Sequence, residues 1–205
     1  MQQILKSGSY SVLIHNPVCI ALAAGLVLYL ICLFLFFHHK RPLQKFYLAI
    51  LFLYLTVIAF LAITITPPGT WHPSAKATAQ IIDKIEWVPF VSSANMLNHS
   101  IRTGNYNAFI RIIGGNFVVL MPLGVFLPLI NPKFRLGRMT LVAILVPVGI
   151  ESTQLICNIL MGSAVRYVQV EDVILNGAGC LLAYVIFAGL HKRFKPKARK
   201  GLRRA

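Results

Sequence analysis

The sequence predicts an all-α membrane protein, a bundle of helices that crosses the lipid bilayer several times. Of its 205 residues, 57% are hydrophobic and only 12% are charged, and the mean hydropathy is +0.73. Soluble domains contain fewer apolar and about twice as many charged residues. Several apolar runs are about 20 residues long, which is the length that an α-helix needs to cross ~30 Å of hydrocarbon. Because backbone hydrogen bonds must be satisfied within the chain in lipid, these runs are expected to be helices.

Five spans are predicted within a single transmembrane domain that covers residues 1–205. They run from Pro17 to Phe37, Phe46 to Ile65, Ala108 to Ile130, Met139 to Leu160 and Asp172 to Leu190. The first run could be taken for a signal peptide. It is as long as a span and lacks a small-x-small cleavage site, so we predict that it is retained.

The positions of Lys and Arg predict the orientation of the spans. Most of the 20 Lys and Arg residues fall on one side, in alternate connections: Lys40, Arg41 and Lys45; Lys133, Arg135 and Arg138; and Lys192, Arg193, Lys195, Lys197, Arg199, Lys200, Arg203 and Arg204. The positive-inside rule puts this side in the cytoplasm, with the N-terminus outside and the C-terminus inside. The basic tail at 191–205 then fits topology and anionic headgroups better than nucleic acid, and no nucleic-acid partner is expected.

The long connection on the predicted outer side contains a short helical pattern. Between Ser74 and Ile85 the isoleucines recur on one helical face, which predicts a helix that lies in the membrane interface. Trp71 and Trp87 flank it, as is typical of residues at headgroup level. This helix either covers the bundle without any chemistry or contacts a ligand. Asn98-His99-Ser100 matches a glycosylation sequon, a weak signal by itself.

Polar residues interrupt three of the predicted spans. The candidates are Arg111 and Asn116 in the third span, Glu151 and Gln154 in the fourth, Asp172 and Asn176 in the fifth, and Arg166 in the connection between the last two. At about 1.5 Å per residue, Asn116, Glu151 and Asn176 lie roughly 12, 13 and 6 Å below the outer ends of their helices. These side chains therefore share the outer half of the bilayer.

An ionisable side chain at such a depth costs on the order of 3 kcal/mol, so it normally faces the interior of a bundle and has partners. We expect the last three spans to pack around a polar pocket that opens outward. Glu151 and Asp172 would repel each other there unless a proton or a cation intervened. Arg166 is the nearest cation in sequence, whereas Arg111 can extend to the outer headgroups. The alternative is that the cluster only fixes the helices and binds nothing.

Proline and small residues support close packing and irregular helices in this region. Pro122 follows Asn116 by about one and a half turns, and Pro147 precedes Glu151 by one turn, so both can open the helix backbone inside the protein. Gly179 and Ala183 continue the face of Asp172 and Asn176, and residues of this size let another helix approach closely.

Little in the sequence indicates catalysis. The cysteines, Cys19, Cys32, Cys157 and Cys180, all lie in apolar runs and are expected to be buried apolar side chains. The histidines have no ligand spacing with the polar candidates, so no metal site and no cofactor are expected. An enzyme that uses Glu151 and Asp172 as acid and base on a lipid-linked substrate stays as the less favoured alternative.

The order of these motifs resembles the VanZ-like family of bacterial membrane proteins. The matching segments are N116-F-V-V-L-M-P-L-G124, E151-S-T-Q154 and R166-Y-V-Q-V-E-D172-V-I-L-N176-G-A-G179, with W87-V-P-F90 before them. The resemblance covers about 87–184, the family-like core. Two places depart from the family's pattern: Gln169 and Glu171 replace aspartates that are often found there, and Glu86 with Trp87 stands where an Asn is common.

The resemblance implies a multi-pass protein of the bacterial cell membrane that acts in the cell envelope. The family is named for a member that gives low-level resistance to teicoplanin, and other members are linked to resistance to lipid-modified antibiotics. We therefore expect the outward pocket to bind a membrane lipid, a lipid-linked cell-wall precursor or a lipidated antibiotic. A structural or partner-binding membrane module is the main alternative, and a transporter is less favoured because five spans show no inverted repeat.

Overall fold

The structure, a computed structural model, describes residues 17–62 and 72–194. Trp71 and the basic tail beyond residue 194 lie outside the described residues. Nine α-helices occur in the described part, with no strand there: α1 Pro17–Cys32, α2 Pro42–Ala62, α3 Ala75–Asp83, α4 Val91–Thr103, α5 Asn107–Phe109, α6 Gly115–Val119, α7 Met121–Ile130, α8 Leu136–Met161 and α9 Val170–Phe194. Two π-helical turns, Leu33–Phe37 and Ile110–Gly114, follow α1 and α5.

Four helical segments of the described chain are long and apolar enough to cross a membrane. They are Pro42–Ala59, Asn107–Ile130, Leu136–Met161 and Val170–Arg193, with a shorter apolar helix at Gly25–Phe37. They coincide with the second to fifth predicted spans, and the shorter helix lies within the first. The all-helical membrane fold is therefore confirmed. The count of five spans and the orientation stay predictions.

The third span is irregular where the sequence predicts a helix breaker. It consists of α5, the π-helical turn, α6 and α7, and the chain leaves helical geometry at Leu120, where φ is −104° and ψ is 2°. Pro122 then occupies the second position of α7, where its missing N–H costs little. By contrast, α8 continues through Pro147 without interruption. The helix is therefore broken next to Pro122, as expected, and it is not broken at Pro147.

Helix α9 is the centre of the bundle and packs against α6, α7 and α8, while α2 packs against α1 and α7. The core between them is apolar. Leu120, Met139 and Cys180 have no exposed surface, and Leu48 and Leu51 of α2 complete this core.

Glycines bring α9 into backbone contact with its neighbours. A methyl group on Gly179 would overlap the carbonyl oxygen of Phe117 in α6, and one on Gly124 of α7 would overlap that of Cys180. On another face of α9, Gly177 meets the carbonyl of Ala143 in α8 in the same way. The prediction that Gly179 and Ala183 let another helix approach α9 closely is confirmed, and that helix is the third span.

Two short helices cover the end of the bundle where α8 ends and α9 begins. The predicted interfacial helix is present as α3, and the hydroxyl of Ser74 caps it by accepting the N–H of Ala77 at 3.1 Å. Its isoleucines do not share one environment, because Ile81 is buried whereas Ile82 is exposed. Helix α4 is not among the predicted spans or interfacial helices. It contains the sequon, whose Ser100 is buried. We refer to this end of the bundle as the loop face.

Candidate functional site

The fourth span reaches the loop face through Glu151. Its side chain is only 7% exposed, and Oε2 accepts the backbone N–H of Gln169 at 3.1 Å. Gln169 immediately precedes α9, so this bond fixes the start of α9 against α8. This bond gives Glu151 a partner at a point of an apolar helix where an unpartnered polar side chain would be costly.

The third and fifth spans meet through Asp172. The carboxamide of Asn116 donates through Nδ2 to Oδ1 of Asp172, and Nδ2 of Asn176 donates to the backbone carbonyl of Asp172 at 2.6 Å. Asn176 is buried, and its Oδ1 has no hydrogen-bond partner. Asn116, Asp172 and Asn176 therefore form one hydrogen-bonded group, in which the buried Oδ1 of Asn176 lacks a donor.

A second carboxylate next to Asp172 connects α9 with α4. Glu171 is buried and accepts two donors, the backbone N–H of Phe90 at 3.1 Å and the hydroxyl of Ser93. Phe90 caps α4 with φ +67°, a left-handed conformation that is costly for a residue with a side chain. Glu171 therefore holds α4 at a strained junction.

The two connections of the loop face are joined through their backbones. The N–H of Glu86 donates to the carbonyl of Val168 at 3.0 Å, and the N–H of Val170 donates to the carbonyl of Glu86 at 3.1 Å. These bonds make an isolated parallel bridge between Glu86 and Gln169. The Glu86 side chain accepts the hydroxyl of Ser92 at 2.9 Å. Two of the positions at which the chain departs from the family pattern, Glu86 and Gln169, are thus paired with each other.

Asn158 shapes the connection between the fourth and fifth spans. Its Oδ1 accepts the N–H groups of Val165 and Arg166 at 3.0 and 3.2 Å, and its Nδ2 donates to the carbonyl of Arg166 at 2.7 Å. The side chain is almost completely buried. Gly162 ends α8 with φ +64° and lies against the backbone of His72. The side chain of Asn158 therefore provides hydrogen-bond partners for the backbone groups of Val165 and Arg166 in this turn.

Carboxylates are grouped around the start of α9. Four of the five acidic residues of the chain, Glu86, Glu151, Glu171 and Asp172, lie there; we call these four the acidic cluster. Asp172 is close enough to Glu151, Glu86 and Glu171 for their charges to repel. Among the described residues no group of three or more His, Cys, Asp or Glu is arranged to hold a metal ion. The cluster is rich in hydrogen-bond acceptors.

The structure brings together most, but not all, of the predicted candidates. Asn116, Asp172 and Asn176 share hydrogen bonds, and Glu151 joins them at the start of α9. The exposed Arg166 is bound through its backbone by Asn158 and also has a further interaction. Gln154 is half-buried and takes part in none of these bonds, and Arg111 is exposed and lines a different groove.

Sequence reasoning did not single out Asn158 or the roles of Glu86 and Glu171. Asn158 had a signal: it is a polar residue in an apolar span, about two turns after Glu151 and therefore on a similar helix face. Glu171 is adjacent to Asp172 but points to α4, a helix that was not predicted. The contact of Glu86 depends on pairing between distant segments, for which the sequence carries no local signal.

The comparisons with known proteins assign the family. No curated protein and no solved structure matches the chain. The model of the VanZ/LLP1 family matches residues 48–191, which is more than half of the chain and includes most of the second span as well as the site. On this match, and with membrane-spanning helices that carry the polar group in the expected order, the chain belongs to the VanZ/LLP1 family.

Proposed function

We propose that the acidic cluster, with Asn116 and Asn176, binds the polar head of an envelope lipid, of a lipid-linked cell-wall precursor or of a lipidated glycopeptide antibiotic. Binding would make a bacterial cell more tolerant of such antibiotics. The proposal includes the orientation predicted from the Lys and Arg residues, with the loop face outside the cell. It assigns no chemical reaction to the site.

The observation that carries the proposal is the unpartnered carboxamide oxygen of Asn176. Leaving a buried acceptor without a donor costs about 1–3 kcal/mol. Exchanging the oxygen and nitrogen of this amide would not remove the problem, because Nδ2 donates to the carbonyl of Asp172 and an oxygen there would be repelled. A donor supplied by a bound molecule would satisfy the oxygen, next to carboxylates that also accept.

The chemistry of the cluster limits the part of the ligand that enters it. Carboxylates and a free carbonyl oxygen attract hydroxyl, amide and ammonium groups, and they repel phosphates. Sugars, peptides and amines of a lipid-linked molecule are therefore the expected contacts. The apolar surfaces of the spans would accept its acyl chains.

A structural role is the second candidate, and specific bonds favour it. Glu151 and Glu171 bind backbone N–H groups, and Asn158 satisfies a turn, so these side chains also hold the loop face together. In this case a buried water molecule would supply the missing donor to Asn176. The two candidate functions differ in whether they need the negative charge of the cluster: ligand binding needs it, whereas the structural role needs only hydrogen-bond acceptors.

The Glu151→Gln variant distinguishes ligand binding from a purely structural role. The oxygen of Gln still accepts the N–H of Gln169, while the negative charge is lost. If the cluster binds a ligand, bacteria that produce the Glu151→Gln variant should have the teicoplanin sensitivity of cells without the protein. The amount of protein in the membrane and its melting temperature in detergent should be unchanged. The same cells should be assayed for lipids or precursors that co-purify with the protein.

Asn158→Ala is the matched control, since it removes bonds within the turn and no charge. It should lower protein abundance and protection together. If Glu151→Gln retains full protection and normal abundance, the ligand-binding proposal is wrong. If Glu151→Gln lowers stability and protection to the same degree as Asn158→Ala, the structural role is the correct one.

A further inference from the structure

The loop face contains a second polar feature, a groove between α4 and the start of the third span. Its volume is about 460 Å³, and its walls are Met96, His99, Ser100 and Thr103 from one side of α4, Asn105 from the connection, and Asn107, Ala108 and Arg111 from the third span. The α4 residues follow the spacing of one helix face. Gly104 ends α4 with φ +68°, which turns the chain back so that the two helices form the walls.

The chemistry of this groove is opposite to that of the acidic cluster. No acidic residue lines it, and Arg111 contributes a permanent positive charge with several donors. His99 adds a ring that can also donate. Asn105 accepts the N–H of Asn107 at 3.0 Å through its side-chain oxygen, which leaves the NH₂ group of its side chain to donate. The groove is therefore a set of donors around one cation.

The position of Arg111 fits the phosphate level of a lipid bilayer. It lies four residues into the span that begins at Asn107, or about 6 Å along the helix axis. Ile101 of α4 and Ile110 beside Arg111 are more than half exposed, at 59% and 64%. These two isoleucines are sequence neighbours of the lining residues Ser100 and Arg111, so exposed apolar surface lies close to the donors of the groove.

We propose that this groove binds the phosphate of a membrane phospholipid, with Arg111 as the main ligand and with His99 and Asn105 as additional donors. The acyl chains of the lipid lie against Ile101 and Ile110. Arginine suits this role because its planar guanidinium can donate two parallel hydrogen bonds to phosphate. The inference is independent of the function proposed for the acidic cluster, from which phosphate is repelled.

The test compares a lipid with and without phosphate. Purified protein is equilibrated with vesicles that contain equal amounts of phosphatidylglycerol and diacylglycerol, extracted in mild detergent, and analysed for bound lipid by mass spectrometry. We expect Arg111→Gln to reduce bound phosphatidylglycerol about tenfold, the loss of one charge-assisted contact, and Arg111→Lys to reduce it less. Diacylglycerol should bind weakly and equally to all variants.

Arg102→Gln is the control, because Arg102 is an exposed cation in the last turn of α4 that does not line the groove. It should bind phosphatidylglycerol as the unmodified protein does. Equal losses for Arg102→Gln and Arg111→Gln would show only general attraction to an anionic surface and would overturn the proposal, as would unchanged binding by Arg111→Gln. A parallel sample with inorganic phosphate identifies the source, since displacement of the lipid at millimolar phosphate would assign the groove to free phosphate instead.

Discussion

Helix α9 is held in two different ways along its length. In its middle, Gly177 and Gly179 bring its backbone against the carbonyls of α8 and α6, with little side chain between them. At its start, Glu151 accepts the N–H of Gln169, Asn116 donates to Asp172, and Glu171 of α9 itself accepts the N–H of Phe90. The glycine contacts require that residues 177 and 179 have no side chain, whereas the polar contacts require side-chain oxygens that accept hydrogen bonds. The first region should therefore reject any added atom, and the second should tolerate replacements that preserve an acceptor.

The largest effect is expected for Gly179→Ala. The new methyl group would overlap the backbone oxygen of Phe117, which cannot rotate away, so the helices must separate. Overpacking of this kind costs about 3 kcal/mol or more. The variant should show a strongly reduced melting temperature, measured by fluorescence-detected size-exclusion chromatography after heating in detergent. Gly189→Ala on the same helix is the control, because a methyl group there meets open space. Equal melting temperatures would refute the glycine contact.

Asn158→Ala should have the next largest effect. It removes three hydrogen bonds and leaves backbone groups of the turn unpaired, at a cost of about 3 kcal/mol. The connection should become sensitive to protease before the spans unfold. Gln154→Ala, in the same helix and with no part in these bonds, should change neither property by much. A cleavage rate like that of the unmodified protein would contradict the role of Asn158.

Two glycines with similar dihedral angles separate backbone strain from packing. Gly162 and Gly104 both have φ near +65°, but only Gly162 lies against another part of the chain, the carbonyl of His72. Gly104→Ala should cost about 1 kcal/mol from strain alone, and Gly162→Ala about 2 kcal/mol or more. Comparison of their unfolding temperatures measures the difference. If the two variants are equally stable, the contact between α8 and residue 72 contributes nothing.

The smallest effect is expected for Glu171→Gln. The Gln oxygen can accept the N–H of Phe90, and the hydroxyl of Ser93 can turn to accept from the new NH₂ group. The cost should be below about 1 kcal/mol. Adding Ser93→Ala to this variant should cost less than the sum of the single changes, because both changes weaken the same hydrogen bond, as a double-mutant cycle of unfolding free energies would measure. Strict additivity would show that Glu171 and Ser93 do not act together.

The sequence predicted the second to fifth spans because hydrocarbon sets their length and composition, and it grouped Glu151, Asp172, Asn116 and Asn176 because polar atoms at that depth need partners. Helix α4 was missed since its sequence is polar and short, with no apolar run to mark it. The π-helical turn at Ile110–Gly114 has no composition that distinguishes it from an α-helix. Gln154 has the same local pattern as the residues that do join the site, so only the helix packing separates it from them.

The pairing of Glu86 with residues 168–170 has a consequence for how the protein opens. Because the backbones of the two connections share these bonds, separating one connection from the other breaks both of them. Amide protons on both sides should then exchange with deuterium at one common rate, as a single cooperative unit.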